Sequence, residues 1–483
     1  MLLRQTILYL PAQVVGPVFQ LLSVVVWTHF LSPAELGVFA LVTAAQELAY
    51  TATLFWFGLY TARYFDPSAP DYSRRGYLDT ETGVMVFAGL STLLIVLALP
   101  LVVDARWTLG LAASTFAYMA SRALVNQLSD RARTSHDTIS YSLLQIIWPV
   151  LGLLVGLVLV TVLEPTAASV LWGYAGAQVM AVAIAVVRLG LGRAPWRASR
   201  EMVRKALRYG VPLVAGGVLV WVAANGIRFV VEWKEGAAAV GLITVGWGLG
   251  LRAATFAAML VTAASFPIAV KRAREEGIDA GQAQLVKNGV LLLAALAPAA
   301  AGLWAIADPL VRLVIAGPYQ EMTISILPLS ILAGTVRSFR LHFGEQIFLL
   351  REETLVPLVN DGVDAVIAMI GTAIGLYLGG LPGAVAGAAC GAGAALALTL
   401  WCGWRWHGFR LPLSDLLRII GASALMTMVV VSLPLQPSAL ILLLAVAAGA
   451  ASYAIALAAL YPEQARNAWA LVHGMLTGEK GAG

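Results

Sequence analysis

Apolar runs long enough to cross a bilayer follow one another from residue 9 to residue 460, separated by polar turns. A crossing helix takes about 20 mostly apolar residues. By that rule the pattern predicts 14 spans, near 9–30, 36–61, 80–103, 107–128, 141–163, 166–188, 210–232, 238–263, 284–306, 323–349, 354–379, 383–403, 414–433 and 438–460. Very short connections alternate with longer ones, the longest about 20 residues, so none can fold as a separate domain. The first run carries Arg4 and Pro11 and lacks a small-residue cleavage site, which predicts a retained first helix and not a removed signal peptide.

Composition turns this pattern into a class. Hydrophobic residues make up 60% of the chain and charged residues only 12%, whereas soluble domains carry roughly 25% charged residues. Too little charge remains to cover a water-facing surface, and the expected fold is an all-α polytopic membrane protein. Cys390 and Cys402 both fall in apolar sequence, so no disulfide framework or metal cluster is implied. None of the five lysines follows a glycine, which excludes a Walker A phosphate loop, and the five histidines show no paired metal-ligand spacing. No cofactor and no nucleic-acid partner are expected.

Charge sets the orientation. With the N-terminus in the cytoplasm, 21 of the 31 Lys and Arg residues lie on that side and three (Arg106, Lys234 and Arg312) on the other. That bias predicts cytoplasmic termini in the cytoplasmic membrane. The most basic stretch is "LGRAPWRASREMVRKALRYG" (191–210), where Arg200, Arg204 and Arg208 form an i, i+4 stripe. It reads as an amphipathic segment on anionic headgroups, with recruitment of an anionic lipid substrate as the sharper alternative.

An internal repeat sharpens the architecture. "THFLSPAELGVFAL" (28–41) and "EWKEGAAAVGLITV" (232–245) align without gaps, placing Gly37 on Gly241, and six spans separate them. Such parallel repeats predict two pseudo-symmetric transporter halves with the site between them. The division expected is an N-lobe over 1–190, a basic amphipathic linker over 191–209 and a C-lobe over 210–403. Two accessory spans and a cytoplasmic tail fill 404–483.

Several segments together resemble the polysaccharide-transporter branch of the multidrug/oligosaccharidyl-lipid/polysaccharide exporter superfamily. They are "LSPAELGVFAL", "YGVPLVAGGVLVWVAANGIRFVVEWKEGAAAVGLITVGWGL", "FPIAVKRAREEG" and "AGPYQEM". The resemblance implies two six-helix lobes around a central cavity, two accessory helices, alternating access and a lipid-diphosphate-linked oligosaccharide as cargo. The partners expected with such a cargo are a proton or sodium ion, membrane lipids and other polysaccharide-assembly proteins. Where that family often has Asp-Arg late in the seventh span, this chain has Ile227-Arg228.

Seven basic residues fall within spans: Arg122, Arg228, Arg252, Lys287, Arg337, Arg340 and Arg418. Lys287 and Arg418 lie near cytoplasmic ends and can snorkel. The other five must pair or face water, since a central arginine costs about 2.5–3.5 kcal/mol on insertion scales. Arg340 lies 12 residues before the turn at Glu352 and Asp364 lies 12 after it, which puts the two at one level of a hairpin. They form either a structural ion pair or a switch in which cargo phosphate takes the arginine and a proton or sodium ion takes the aspartate. Arg337, one turn away, completes a two-arginine clamp in the second reading, and Glu345 and Asp361 flank it. Glu47 and Arg252 occupy near-equivalent depths in the two repeats, while Arg122 and Arg228 lie nearer the cytoplasmic and outer mouths. His342 reads as a satisfied polar residue before a proton relay.

Substrate-binding candidates are therefore Arg252, Arg337, Arg340, Arg122 and Arg228, and ion-coupling candidates are Asp364, Asp361, Glu47 and Glu345. The function expected is a non-enzymatic flippase for an undecaprenyl-type lipid-linked oligosaccharide. A lipid II-type flippase or multidrug exporter of the same superfamily is the near alternative. A membrane polysaccharide polymerase or ligase is the alternative from another class, and the short outer connections argue against it.

Overall fold

The computed structural model describes residues 2–65, 74–190, 198–262, 265–463 and 466, and all regular structure among them is helical. Residues 191–197 of the expected linker and nearly all of the tail lie outside the described residues. In order, the first helices are α1 (Leu2–Phe30), α2 (Pro33–Thr53), α3 (Phe55–Tyr64), α4 (Arg74–Ala98), α5 (Leu109–Thr134), α6 (Thr138–Val162), α7 (Ala167–Leu189) and α8 (Arg200–Thr262). There follow α9 (Ser265–Glu276), α10 (Ile278–Ala305), α11 (Ala307–Val314), α12 (Gly317–Phe339), α13 (Gln346–Leu350), α14 (Leu355–His407), α15 (Leu413–Val431) and α16 (Ala439–Leu460).

Helix starts follow from local chemistry. Ser32 caps α2 by accepting from the Glu35 amide at 3.3 Å, with Pro33 in the first turn where its missing donor costs nothing. Thr108, Asp137 and Thr166 cap α5, α6 and α7 in the same way. Two runs are double-length and break only at glycine: the 63-residue α8 at Gly236 (φ 78°) and the 53-residue α14 at Gly379 and Gly380 (φ 60° at the latter). A positive φ is free for glycine and costly for residues with a Cβ.

A helical run falls on each of the fourteen expected segments. Nine helices among the described residues are long and apolar enough to cross a membrane, or ten if the bent α2–α3 pair is one span. Both double-length runs are among the nine. α5 is not among them, being rich in polar residues, and α1 contributes only its described apolar part, Val14–Phe30.

The helices group into two compact units, residues 1–245 with 361–391, and 246–360 with 392–483. This grouping is a different partition from the lobe boundaries expected at 190 and 210, since the first part of α8 belongs with α1–α7. Residues 200–209 are the opening turns of α8 and run unbroken into the expected seventh span.

The first unit has a core built on Leu54, Trp56, Phe57 and Tyr77. Its close packing uses small residues. A Cβ on Gly37 would lie 2.7 Å from the Ala237 carbonyl carbon, with the oxygen nearer still, and a Cβ on Gly241 would lie 2.8 Å from the Pro33 carbonyl carbon. In the repeat alignment Pro33 corresponds to Ala237 as Gly37 does to Gly241. Each glycine thus meets the counterpart of the residue its own counterpart meets, the signature of a local two-fold relation. Across the break in α14, Gly371 opposes Gly387 and Gly375 opposes Gly383, a pair of small-xxx-small faces in backbone contact. The second unit is centred on Phe339, Phe343, Ile347, Phe348 and Phe409.

Candidate functional site

In the second unit the charged stretch of α12 ends in a π-helical turn, Arg340–Gly344, where the Glu345 amide donates to the Arg340 carbonyl at 2.9 Å. Packing favours the wide turn. Phe343 seats against Gly289 and stacks on Phe409 with centroids 4.7 Å apart, and Gly344 abuts Thr399. On a regular α-helix, residues five apart point about 140° away from each other. The extra residue in this turn brings Arg340 and Glu345 to one side, where the guanidinium donates to the carboxylate. Arg340 is 1% exposed and Glu345 5%.

One turn earlier, Arg337 is also buried, its guanidinium 5.7 Å from the centre of the Trp247 ring. A buried indole face stabilises a cation without adding a fixed negative charge. The result is two arginines within one turn, one carboxylate and an aromatic wall, on a helix otherwise apolar. His342 lies in the same wide turn, half-buried. Arg252, in the second part of α8, is exposed and belongs to this unit too.

In the first unit the sequence candidates fall into three places. Glu47 on α2 accepts from Asn225 Nδ2 at 3.4 Å, and Arg228 Nη1 donates to Asn225 Oδ1 at 2.8 Å. One asparagine therefore links the acid and the base, and Trp221 Nε1 pins the same two helices by donating to the Ala44 carbonyl at 3.0 Å. Arg122 stands apart, stacked 3.8 Å over the Trp148 ring, and its Nη1 has no acceptor among the described residues. Asp361 and Asp364 are both buried on α14, whose Asp364 turn packs against Gly391.

Arg340 belongs to the second unit and Asp364 to the first. Arg340 pairs with Glu345, an acid the sequence places only beside the clamp.

Three features were missed. Asn225 sits three residues before Arg228, a spacing that puts both on one helical face. Trp247 and Trp148 act as cation partners. Arg131, counted among the cytoplasmic loop cations, is instead buried: it pairs with Glu81, which also accepts from Gln127 Nε2 at 3.1 Å, under the rings of Phe65 and Tyr77. Helix α5 runs to Thr134, past the end of its apolar stretch, and carries Arg131 with it. Among the described residues no group of three His, Cys, Asp or Glu side chains is arranged to hold a metal ion.

Solved structures share this fold. The lipid II flippase MurJ in its inward closed conformation matches with a TM-score of 0.74 at 12% identity, covering 95% of this chain and 99% of that one. An inward-facing multidrug resistance MATE family transporter of the MOP superfamily matches with a TM-score of 0.60 at 15% identity, over 87% of this chain and 99% of that chain. An outward-facing structure of such a transporter gives 0.51 at 14% identity, over 87% and 96%. No curated protein matches the chain. The profile of the polysaccharide biosynthesis protein family matches residues 2–272. With more than half of its length matched in this way, this multi-pass membrane protein belongs to the polysaccharide biosynthesis protein family.

Proposed function

We propose that the chain is a secondary transporter that flips an undecaprenyl-type lipid-diphosphate-linked oligosaccharide across the cytoplasmic membrane, with both its termini in the cytoplasm. The observation that carries this reading is the buried Arg337–Arg340–Glu345 group beside Trp247. A diphosphate carries about two negative charges, and planar guanidiniums match its oxygens two at a time. Cargo phosphate displaces the carboxylate from Arg340, and the released acid takes a proton or sodium ion, so that cargo movement and ion movement are linked. Glu345 is the acid in contact with Arg340; Asp364 is the acid expected from the sequence, with Asp361 beside it. Arg252, Arg122 and Arg228 are further candidates for cargo phosphate, and Glu47 holds its own exchangeable partner through Asn225. The lobes assigned to this cycle are 1–190 and 210–403, with 404–483 accessory.

A lipid II-type cargo is the second reading, favoured by the likeness to MurJ, and shares the diphosphate chemistry. A cationic drug is disfavoured by five arginines in the spans.

Alanine at Arg337 or Arg340 should abolish surface-polysaccharide export at near-normal protein levels, and lysine should restore it only in part. Arg418, exposed and 5.2 Å over the Tyr461 ring, is the control and should tolerate alanine. Full export by the Arg337→Ala and Arg340→Ala variants would overturn the proposal. A block in peptidoglycan synthesis with normal polysaccharide would select the second reading.

A further inference from the structure

The opening turns of α8 carry a groove of about 810 Å³ whose lining includes Arg200, Arg204 and Arg208 alongside Val203, Leu207 and Val211. We infer that this groove binds a glycerophospholipid with a net negative headgroup, drawn from the cytoplasmic leaflet. The proposal is independent of the cargo reading.

The helix is held from its other side. Ala206 is buried in the cluster of Trp56, Phe57 and Tyr77, and a Cβ on Gly210 would lie 2.6 Å from the Trp56 carbonyl oxygen. That packing fixes which face is left open. On the same turns Lys205 is neutralised by Glu201 at 3.1 Å, whereas none of the three arginines forms an ion pair among the described residues. The groove lining contains no carboxylate.

Depth gives the match to a lipid. α8 runs unbroken from Arg200 into the expected span at 210. At 1.5 Å per residue, Arg208 stands about 3 Å and Arg204 about 9 Å outside the hydrocarbon edge. The headgroup layer is roughly 5–8 Å thick on each side. A phosphate there lies between those two guanidiniums, which suit its oxygens, while Leu207 and Val211, 38% and 52% exposed, lie along the acyl chain. A zwitterionic headgroup would bring a cation with no acid in the lining to receive it. An oligosaccharide would need hydroxyl partners, and the lining offers no Ser, Thr, Asn, Gln, Asp or Glu.

The test is native mass spectrometry of the delipidated full chain titrated with phosphatidylglycerol or phosphatidylcholine. Each arginine near an anionic surface is worth about fivefold in affinity, so the Arg204→Gln/Arg208→Gln variant should bind phosphatidylglycerol about 25-fold more weakly. Its phosphatidylcholine affinity should be unchanged, and Lys205→Gln should change neither. If the double variant does not fold, Arg204→Gln alone should lose about fivefold, and salt should weaken phosphatidylglycerol binding to the unaltered chain. An unchanged lipid preference in the arginine variants would overturn the inference. So would undecaprenyl diphosphate outcompeting phosphatidylglycerol at this site by tenfold or more, since the groove would then belong to cargo.

Discussion

The mutual contact of Gly37 and Gly241 predicts a matched pair of lesions. An added Cβ at Gly37 would sit 2.7 Å from the Ala237 carbonyl carbon, and one at Gly241 would sit 2.8 Å from that of Pro33. Carbon atoms in good contact are about 3.5–4.0 Å apart, so the helices must part by on the order of 1 Å, with backbone on both sides and no flexible side chain to yield. Overpacking of this kind costs about 1–3 kcal/mol. Gly37→Ala and Gly241→Ala should therefore lower stability by similar amounts. The double variant should lose clearly less than the sum, because the first substitution has already separated the helices. Thermal unfolding of the purified protein in detergent, followed by tryptophan fluorescence, measures all four corners of the cycle. Gly89→Ala and Gly176→Ala supply the comparison, since a Cβ at either meets nothing within 4 Å and should be neutral or mildly stabilising. Penalties that add fully, or a Gly37→Ala variant as stable as Gly89→Ala, would refute the two-fold contact.

The Arg340–Glu345 pair should show the asymmetry of a buried ion pair. Truncating either residue should cost about 3–5 kcal/mol, and truncating both should cost far less than the sum; additive losses in denaturation midpoints would show that the two do not interact. Glu81→Gln should destabilise the first unit for the same reason, by stranding Arg131, whereas breaking the exposed Lys205–Glu201 pair should leave the melting temperature where it was. Reporter fusions at Ser135 and Glu275 should read cytoplasmic and those at Arg106 and Lys234 should read external; two reversed reports would invalidate the orientation.

Most of the helical architecture was legible because lipid-spanning helices declare themselves by length and hydropathy, and each expected segment is helical. The correspondence of Gly37 with Gly241 was legible too, though alignment said only that they were equivalent and not that they touch. What escaped depends on packing. The wide turn at 340–344 has no compositional signal, since it follows from Phe343 seating on Gly289 and Gly344 on Thr399, more than 50 residues away in each direction. Arg131 reads as a loop cation because the apolar run ends near residue 128, while its partner Glu81 lies on a different helix and only the fold joins them. The Gly371/Gly375 and Gly383/Gly387 faces were visible as a spacing, but small residues are so common in this chain that the spacing alone did not stand out.

The wide turn also bears on how the gene can change in length. Adding or removing one residue in a regular helix rotates everything beyond it by about 100°, which turns a buried face outward. Here one surplus residue is already stored, held by the Glu345 amide bond to the Arg340 carbonyl. Deleting Leu341 or His342 would leave Arg340 and Glu345 four apart, still neighbours on an ordinary helix, and would keep Phe343 and Gly344 in step with α13. An insertion finds no such reserve. Length variation along this helix is therefore one-sided: a codon can be lost at the turn with the surroundings intact, and none can be gained there without turning the rest of the helix.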